Sequence, residues 1–272
     1  SPMVPVVGRP VMSYPLELLI RQNFKQIVVN LYSLANTIEA YFGTGGRWGI
    51  DLQYVLQPQA WGSAGSLHWA RHHLTGPFVV LPADQLIDID LVAILEQHQA
   101  KKSAATIVIH PGANPHFSGF NLPGENILKP EEGTWFETGV YIFDPAVLDR
   151  IPARTHYDIS TDLIPDLVSA GMAVDSYKVY GYWNSLETFS DLQTAQNALL
   201  SSAQGILDGT PSIHYTSISG RRVQQGIWIG RNTIVHPEAQ LIPPVFVGEN
   251  CSISRGAEVG PGTVLGNDIM ID

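Results

Sequence analysis

The chain has 272 residues, 44% hydrophobic and 15% charged, enough apolar content for one large or two modest cored domains and too much for a disordered polymer. No apolar run reaches the ~18 residues of a membrane-spanning helix, and a formal net charge of −10 excludes non-specific binding to nucleic acid or to an anionic membrane, both of which need a basic surface. A single cysteine, Cys251, excludes an internal disulfide and suits a cytoplasmic setting, while any phosphate-bearing ligand must meet a local basic pocket. The chain starts at Ser1 with no signal-peptide pattern and its last hexapeptide is cut at Asp272, so both ends read as edges of a longer chain.

From Val11 to about Ser201, helical and strand signals alternate. A helix over about Val11–Arg21 leads to a strand at Gln26–Leu31, and a helix over about Leu34–Phe42 leads to a strand at Leu52–Leu56. The helix at about Ala64–His73 feeds the apolar run Phe78–Leu81, which reads as a strand buried on both faces. Asp90 is the expected N-cap of a helix at Leu91–Ala100, and Ala105–Ile109 resumes the sheet. Past a Gly, Pro and Asn-rich stretch at Pro111–Gly124 come a strand at Gly139–Phe143, a helix at Ser160–Ala170 and a strand at Val174–Tyr180. This alternation predicts an α/β fold with a Rossmann-like, doubly wound, mostly parallel sheet and right-handed crossovers. In such sheets ligands sit outside the carboxyl ends of the strands, so residues just after strands are the ones to examine.

The C-terminal part follows a different beat. Ile229, Val235, Leu241, Val247, Ile253, Val259, Leu265 and Ile271 recur every six residues, often with glycine next, as at Gly230, Gly248, Gly260 and Gly266. Hexapeptides of this kind build a left-handed parallel β-helix, in which each triangular coil takes three faces and points one aliphatic residue per face inward. The expected organisation is an α/β domain over residues 1–203, a connecting segment at 204–225 and the β-helix at 226–272. Short solenoids need partners to bury their ends, so homo-oligomers or hetero-oligomers through the β-helix are expected. Acyltransferases that use this repeat need a histidine, and His236 is the one candidate, but two to three coils fit a capping and assembly element better.

Asp84 follows the strand that ends at Leu81. A carboxylate there either orders a turn or holds Mg²⁺ against substrate phosphates. The strings Pro2–Met12, Ile27–Leu31, Ala40–Gly43, Trp61–Gly65, Phe78–Leu91, Lys129-Pro130, Thr138–Ile142 and Gly181-Tyr182-Trp183 resemble, in order, the sugar-1-phosphate nucleotidylyltransferases, above all the mannose-1-phosphate guanylyltransferases. The resemblance covers nearly all of residues 1–200, and that family commonly carries a C-terminal left-handed β-helix. It implies an enzyme that joins a nucleoside triphosphate to a sugar 1-phosphate and releases pyrophosphate, with Mg²⁺ neutralising the phosphates. The sugar phosphate oxygen attacks the α-phosphorus in line, so catalysis is mainly positioning and charge stabilisation. Carried over, Gly62 approaches the nucleobase, Gln57 or Gln59 reads its edge, Asp84 is the first metal ligand, and Lys129 meets the sugar phosphate. Gly139 lies under the sugar, with Thr138 and Glu137 offering hydroxyl contacts.

Departures from the family pattern fall on the chemistry. The family's first strand and Gly-rich phosphate loop do not precede Ser1, Ala83 and Leu128 replace a Gly and a Glu, and Ser185 stands where the family has its second metal-binding Asp. Glu187 replaces a Gly close by. Two functions follow from the resemblance. One is an active enzyme making a GDP-mannose-like nucleotide sugar, with Asn184 or Glu187 partly replacing the lost carboxylate. The other is a catalytically silent, nucleotide-sugar-binding regulatory subunit. A purely structural role, with the β-helix as an oligomerisation device, is a third.

Overall fold

The computed structural model describes residues 1–111, 135–204, 213–214 and 218–272. In chain order the elements through residue 204 are β1 (Pro5–Val6), β2 (Arg9–Pro10), α1 (Ser13–Arg21), β3 (Gln26–Leu31), α2 (Ala35–Phe42), β4 (Asp51–Leu56), α3 (Gly62–Trp69), β5 (Phe78–Val80), β6 (Leu86–Asp88), α4 (Leu91–Lys101), β7 (Ala105–Pro111), β8 (Trp135–Phe143), α5 (Ile164–Ser169), β9 (Val174–Lys178), β10 (Tyr182–Asn184) and α6 (Phe189–Gln204). The chain divides into two compact units: Ser1–Leu18, Ala83–Asp88 and Gly181–Asp272 form the first, and Leu19–Pro82 and Ile89–Tyr180 the second. Residues 1–203 therefore contribute to both.

In the second unit β3 and β4 pair in parallel, Gln26 opposite Asp51 through Leu31 opposite Leu56. A separate four-stranded sheet has the order β5-β8-β7-β9. Only β7 and β9 are parallel there; β8 runs antiparallel to both neighbours, with Phe143 opposite Phe78 on one side and Ala105 on the other. This corrects the expected mostly parallel sheet: an apolar strand has the same composition read in either direction, and only the path of the chain into it decides the pairing. A second correction concerns Phe78–Val80, which is only half-buried because β5 is the edge strand of this sheet. Full burial falls instead on β8, flanked on both edges, whose Trp135, Tyr141 and Phe143 join Ile107, Ile109, Leu67, Leu163 and Leu167 in the core. The expected helix at Ser160–Ala170 begins as a π turn, Ile159–Leu163, before α5.

Helix α4 starts as expected at Asp90, whose Oδ1 accepts from Ala93 N at 2.9 Å. On its inner face His98 is buried, with Nδ1 2.9 Å from Thr106 Oγ1. Burial holds this imidazole below its ordinary range, while the charges of Asp144 and Asp175 pull it partly back.

The first unit packs β1, β2, α6 and the antiparallel pair β6–β10 with the C-terminal strands around Val6, Val11, Tyr14, Leu86, Tyr182, Leu199, Trp228 and Phe246. Gly8, at φ 74°, closes the β1–β2 turn where an added Cβ would sit 2.3 Å from Phe246 Cζ.

Nine short strands follow: β11 (Arg221–Gln224), β12 (Ile227–Ile229), β13 (Ile234–Val235), β14 (Gln240–Leu241), β15 (Val245–Val247), β16 (Ser252–Ile253), β17 (Glu258–Val259), β18 (Thr263–Leu265) and β19 (Met270–Ile271). From β12 onward they pair in parallel at an offset of eighteen residues, in three sets: β12-β15-β18, β13-β16-β19 and β14-β17. The aliphatic residues of the six-residue beat thus stack on one another, Ile229 on Val247 on Leu265, and Val235 on Ile253 on Ile271. Most of them close a core with Cys251 and Ala257. At one corner Asn232, Asn250 and Asp268 adopt left-handed backbone and form a ladder, each Asn Nδ2 donating to the oxygen of the next residue at 3.2 and 3.1 Å. At the same corner Gly230, Gly248 and Gly266 stack so closely that a Cβ on Gly248 would lie 2.5 Å from Gly266 O. Strand β11 covers the first coil by pairing antiparallel with β12.

Two outcomes are expected. Gly248→Ala forces backbone against backbone, and its thermal unfolding midpoint should fall by an amount corresponding to about 2 kcal/mol, whereas Gly266→Ala, with open space around it, should be close to neutral. For His98, the unfolded chain takes up a proton near pH ~6.5 that the folded imidazole resists, so its contribution is complete above that pH and is lost as pH falls toward the lowered folded value. His98→Gln should flatten the loss of urea midpoint between about pH 7.5 and about pH 5.5; an unaltered slope would assign the proton to another group.

Candidate functional site

In the second unit, β4 delivers Gln57 and α3 begins five residues later. Gln57 is buried: its N donates to Leu31 O at 2.7 Å and its Oε1 accepts from Ser66 Oγ at 3.2 Å. Gln59 is exposed, so of the two only Gln59 presents its amide outward. Gly62 has φ 76°, and a Cβ there would lie 2.6 Å from Tyr157 O. The close approach that requires glycine at this position is made by the protein's own backbone. Ser63 N and Oγ donate to Asp158 Oδ1 at 2.9 and 3.1 Å, and Ala64 N and Gly65 N donate to Tyr157 O. The first amides of α3 are thereby satisfied from a segment more than ninety residues later, and they are not open to a phosphate.

Strand β8 carries Glu137, Thr138 and Gly139. The pairing with β7 slips between Ile107 and Ile109, which is a β-bulge, and Gly139 takes it up at φ 77°. The Thr138 hydroxyl is consumed locally, donating to Val108 O at 2.9 Å and accepting from Val140 N at 3.2 Å. Glu137 is buried, and Ser160 Oγ donates to its Oε2 at 2.5 Å. Burial pushes the Glu137 carboxyl above its usual range while the Ser160 and Tyr141 hydroxyls pull it back, and burial pushes the Tyr141 phenol up as well. Lys129 lies outside the described residues.

In the first unit, the antiparallel register sets Asn184 opposite Leu86, so Ser185 and Asp84 leave β10 and β6 at the same end of the pair. Trp183 Nε1 donates to Gln85 Oε1 at 3.0 Å across it. Asp84 is half-exposed, and its Oδ2 accepts from the Ser1 amino group at 3.3 Å. A half-exposed carboxylate suits Mg²⁺, which uses one or two carboxylates and completes its shell with water and substrate phosphates. Among the described residues no cluster of three or more His, Cys, Asp or Glu could hold a metal without such help. Asn184 is held in its own turn: its Nδ2 donates to Asp191 O and its Oδ1 accepts from Leu186 N, which leaves one lone pair of that oxygen. Glu187 is exposed in the turn before α6, which Thr188 and Asp191 cap reciprocally.

Three residues that the sequence reading passed over are Tyr141, Asp158 and Ser160. Asp158 and Ser160 lie in Asp158-Ile159-Ser160-Thr161-Asp162, a polar run ahead of an apolar one that is a helix-start signal, but nothing local shows that these side chains reach residues 63 and 137.

The family model for nucleotidyl transferases matches residues 1–202. A UTP–glucose-1-phosphate uridylyltransferase from Synechocystis sp. is 30% identical over 97% of this chain and 77% of its own length. A mannose-1-phosphate guanylyltransferase from Mycobacterium tuberculosis is 24% identical over 100% of this chain and 74% of its own. Among solved structures, HddC from Yersinia pseudotuberculosis complexed with GMP-PN superposes with a TM-score of 0.63 at 16% identity, covering 73% of this chain and 89% of that one. A Bacillus anthracis protein solved in complex with sucrose gives 0.64 at 20% identity, covering 79% and 88%. The structures agree with the mixed α/β fold, and the matched segment holds every position discussed in β4, α3, β8 and the β6–β10 pair: the chain belongs to the nucleotidyl transferase family.

Proposed function

We propose that this protein joins a nucleoside triphosphate to a sugar 1-phosphate, giving a nucleotide sugar and pyrophosphate. The observation that carries the reading is the 30% identity over 97% of the chain to a sugar-1-phosphate uridylyltransferase. Relatives at 24% and 23% identity act, by their names, on mannose 1-phosphate with guanylyl transfer and on glucose 1-phosphate with thymidylyl transfer. GTP with mannose 1-phosphate is the pair that the sequence motifs favour, and UTP with glucose 1-phosphate the pair that identity favours.

In this reading Asp84 holds Mg²⁺, which when bound neutralises the phosphates of the triphosphate. Gln59, and Gln57 if its pairing with Ser66 opens, face the base near Gly62, and Glu137 and the Gly139 backbone meet the sugar. Lys129 supplies the positive charge for the sugar phosphate. The eighteen-residue parallel coil supports the proposal of a left-handed β-helix that assembles the protein into homo- or hetero-oligomers, and the setting is cytoplasmic.

A second reading is favoured by Ser185 and by the local engagement of Asn184: the fold binds a nucleotide sugar as the silent subunit of an active partner. Pyrophosphate release should be assayed with UTP, GTP and dTTP against glucose and mannose 1-phosphates in Mg²⁺. The enzyme reading expects turnover with one pair, a drop of about 100-fold or more in kcat/KM for Asp84→Asn, corresponding to about 2.7 kcal/mol, and a gain for Ser185→Asp. Zero turnover in both the parent and Ser185→Asp, with nucleotide-sugar binding intact, selects the silent subunit.

A further inference from the structure

Strand β6 is three residues long and forms a two-stranded sheet with β10, Leu86 opposite Asn184 through Asp88 opposite Tyr182. A two-stranded ladder of this length is marginal by itself, so its register depends on what grips its ends. One end leads to Asp84 and Ser185. At the other end stands Asp88, a buried carboxylate whose Oδ2 accepts from His214 N at 2.5 Å and lies 2.9 Å from His214 Nδ1. Facing a carboxylate oxygen, Nδ1 carries the ring proton, so one oxygen takes both the main-chain and the side-chain donor of a single residue. The residue before it is held as well: Ile213 is buried in the cluster of Leu86, Tyr182 and Leu199, and its O accepts from Ser202 Oγ of α6 at 2.6 Å. The His214 side chain is 70% exposed, so it brings donors to Asp88 and little apolar burial. Residues 213–214 lie ahead of β11, the strand that covers the first coil, and all of these groups belong to the first unit.

We infer that Asp88 is a positioning residue for Asp84. Gripped by His214, it fixes one end of the β6–β10 register and so sets where Asp84 and Ser185 stand at the other, which couples residues 213–214 to the metal-facing end of the pair. The inference rests on the reading of Asp84 as the carboxylate for Mg²⁺ given above. Coupling of this kind is reciprocal: His214 seated on Asp88 favours the arrangement that takes metal and triphosphate, and metal and triphosphate favour His214 on Asp88. The entry to the coil thereby takes part in ligand binding and not in assembly alone. Whatever draws residues 213–214 away from β6 lowers the affinity for Mg²⁺ with its nucleotide. A mere fastener would stabilise the fold without that link.

The test reads metal-dependent binding. The full chain is titrated calorimetrically with UTP and with GTP, each in Mg²⁺ and in EDTA, and the ratio of the two Kd values measures what the metal contributes. The parent should bind its preferred triphosphate about 10-fold or more tightly in Mg²⁺, and Asp84→Asn should bring the ratio to about 1. His214→Ala, a change at an exposed ring, should cut the ratio by about 5-fold, and His214→Asn, whose side-chain amide puts an N–H where Nδ1 stood, should restore it. Asp88→Ala should lower the ratio at least as far, and adding His214→Ala to it should alter the ratio by less than about 2-fold, because the shared contact is already gone. In the reverse direction, Mg²⁺ with the triphosphate should slow amide hydrogen exchange at His214 by about 5-fold in the parent and leave it unaltered in Asp84→Asn. If Asp88→Ala does not fold, the two His214 variants answer the same question. A ratio that falls in Asp84→Asn but stays at the parent value in His214→Ala and Asp88→Ala, whatever their melting temperatures, overturns this inference while leaving the proposed function standing. A parent whose triphosphate binding is indifferent to Mg²⁺ overturns the reading of Asp84 and this inference with it.

Discussion

A carboxylate on a strand buried on both faces has no solvent to hold it, and β8 places Glu137 there, paired with Ile109 of β7. The second unit is arranged around this constraint. The π turn brings Ser160 to the carboxylate, Tyr141 adds its phenol, and the bulge at Gly139 absorbs the irregular register. The neighbouring segment at Tyr157 and Asp158 caps α3 through Ser63, Ala64 and Gly65, which fixes the start of the helix where Gly62 stands. A few polar residues between Tyr157 and Ser160 thus tie α3 and β8 to one point.

The first unit depends on packing of a different kind. Its coil gains one inward aliphatic residue for every six residues, and one stacked layer and one corner ladder contact for every eighteen, so stability accumulates through neighbours rather than through a single core. Phe246, an outward residue of that coil, closes on Gly8 and joins Val6, Trp228 and Leu199, linking the N-terminal hairpin to the C-terminal strands. Asp88, next to the pair that positions Asp84, accepts both the N–H and the ring of His214 and so anchors residues just ahead of the coil.

Chemically, the two units present unequal cases. The second unit has a buried carboxylate, Glu137, with defined partners, whereas the first has a half-exposed carboxylate, Asp84, and a neutral serine at 185. Phosphoryl transfer relies on charge stabilisation more than on covalent help from the protein, so under the proposed function a serine at 185 in place of a carboxylate bears on rate more than on binding.

The six-residue beat was fully legible because its period is local: which residues stack eighteen apart follows from counting, and Val247 on Leu265 is where the count puts it. The order of helices and strands from α1 to β9 was legible for the same reason apart from β6, as was the Asp90 cap, which needs only the three residues that follow it, while β1, β2, β10 and α6 went unread. Family membership could be read from the order of short motifs, since order survives where individual residues change. What the tertiary structure alone decided are matters of long-range pairing. The antiparallel direction of β8 and the edge position of β5 depend on neighbours far along the chain, and an apolar run carries no sign of either. The partners of Glu137 and Ser63 lie 23 and 95 residues away, so no local pattern could reveal that one carboxylate is fixed and the other caps a helix. The engagement of Asn184 lies within seven residues, yet the sequence shows an amide without showing that Asp191 O and Leu186 N are its partners.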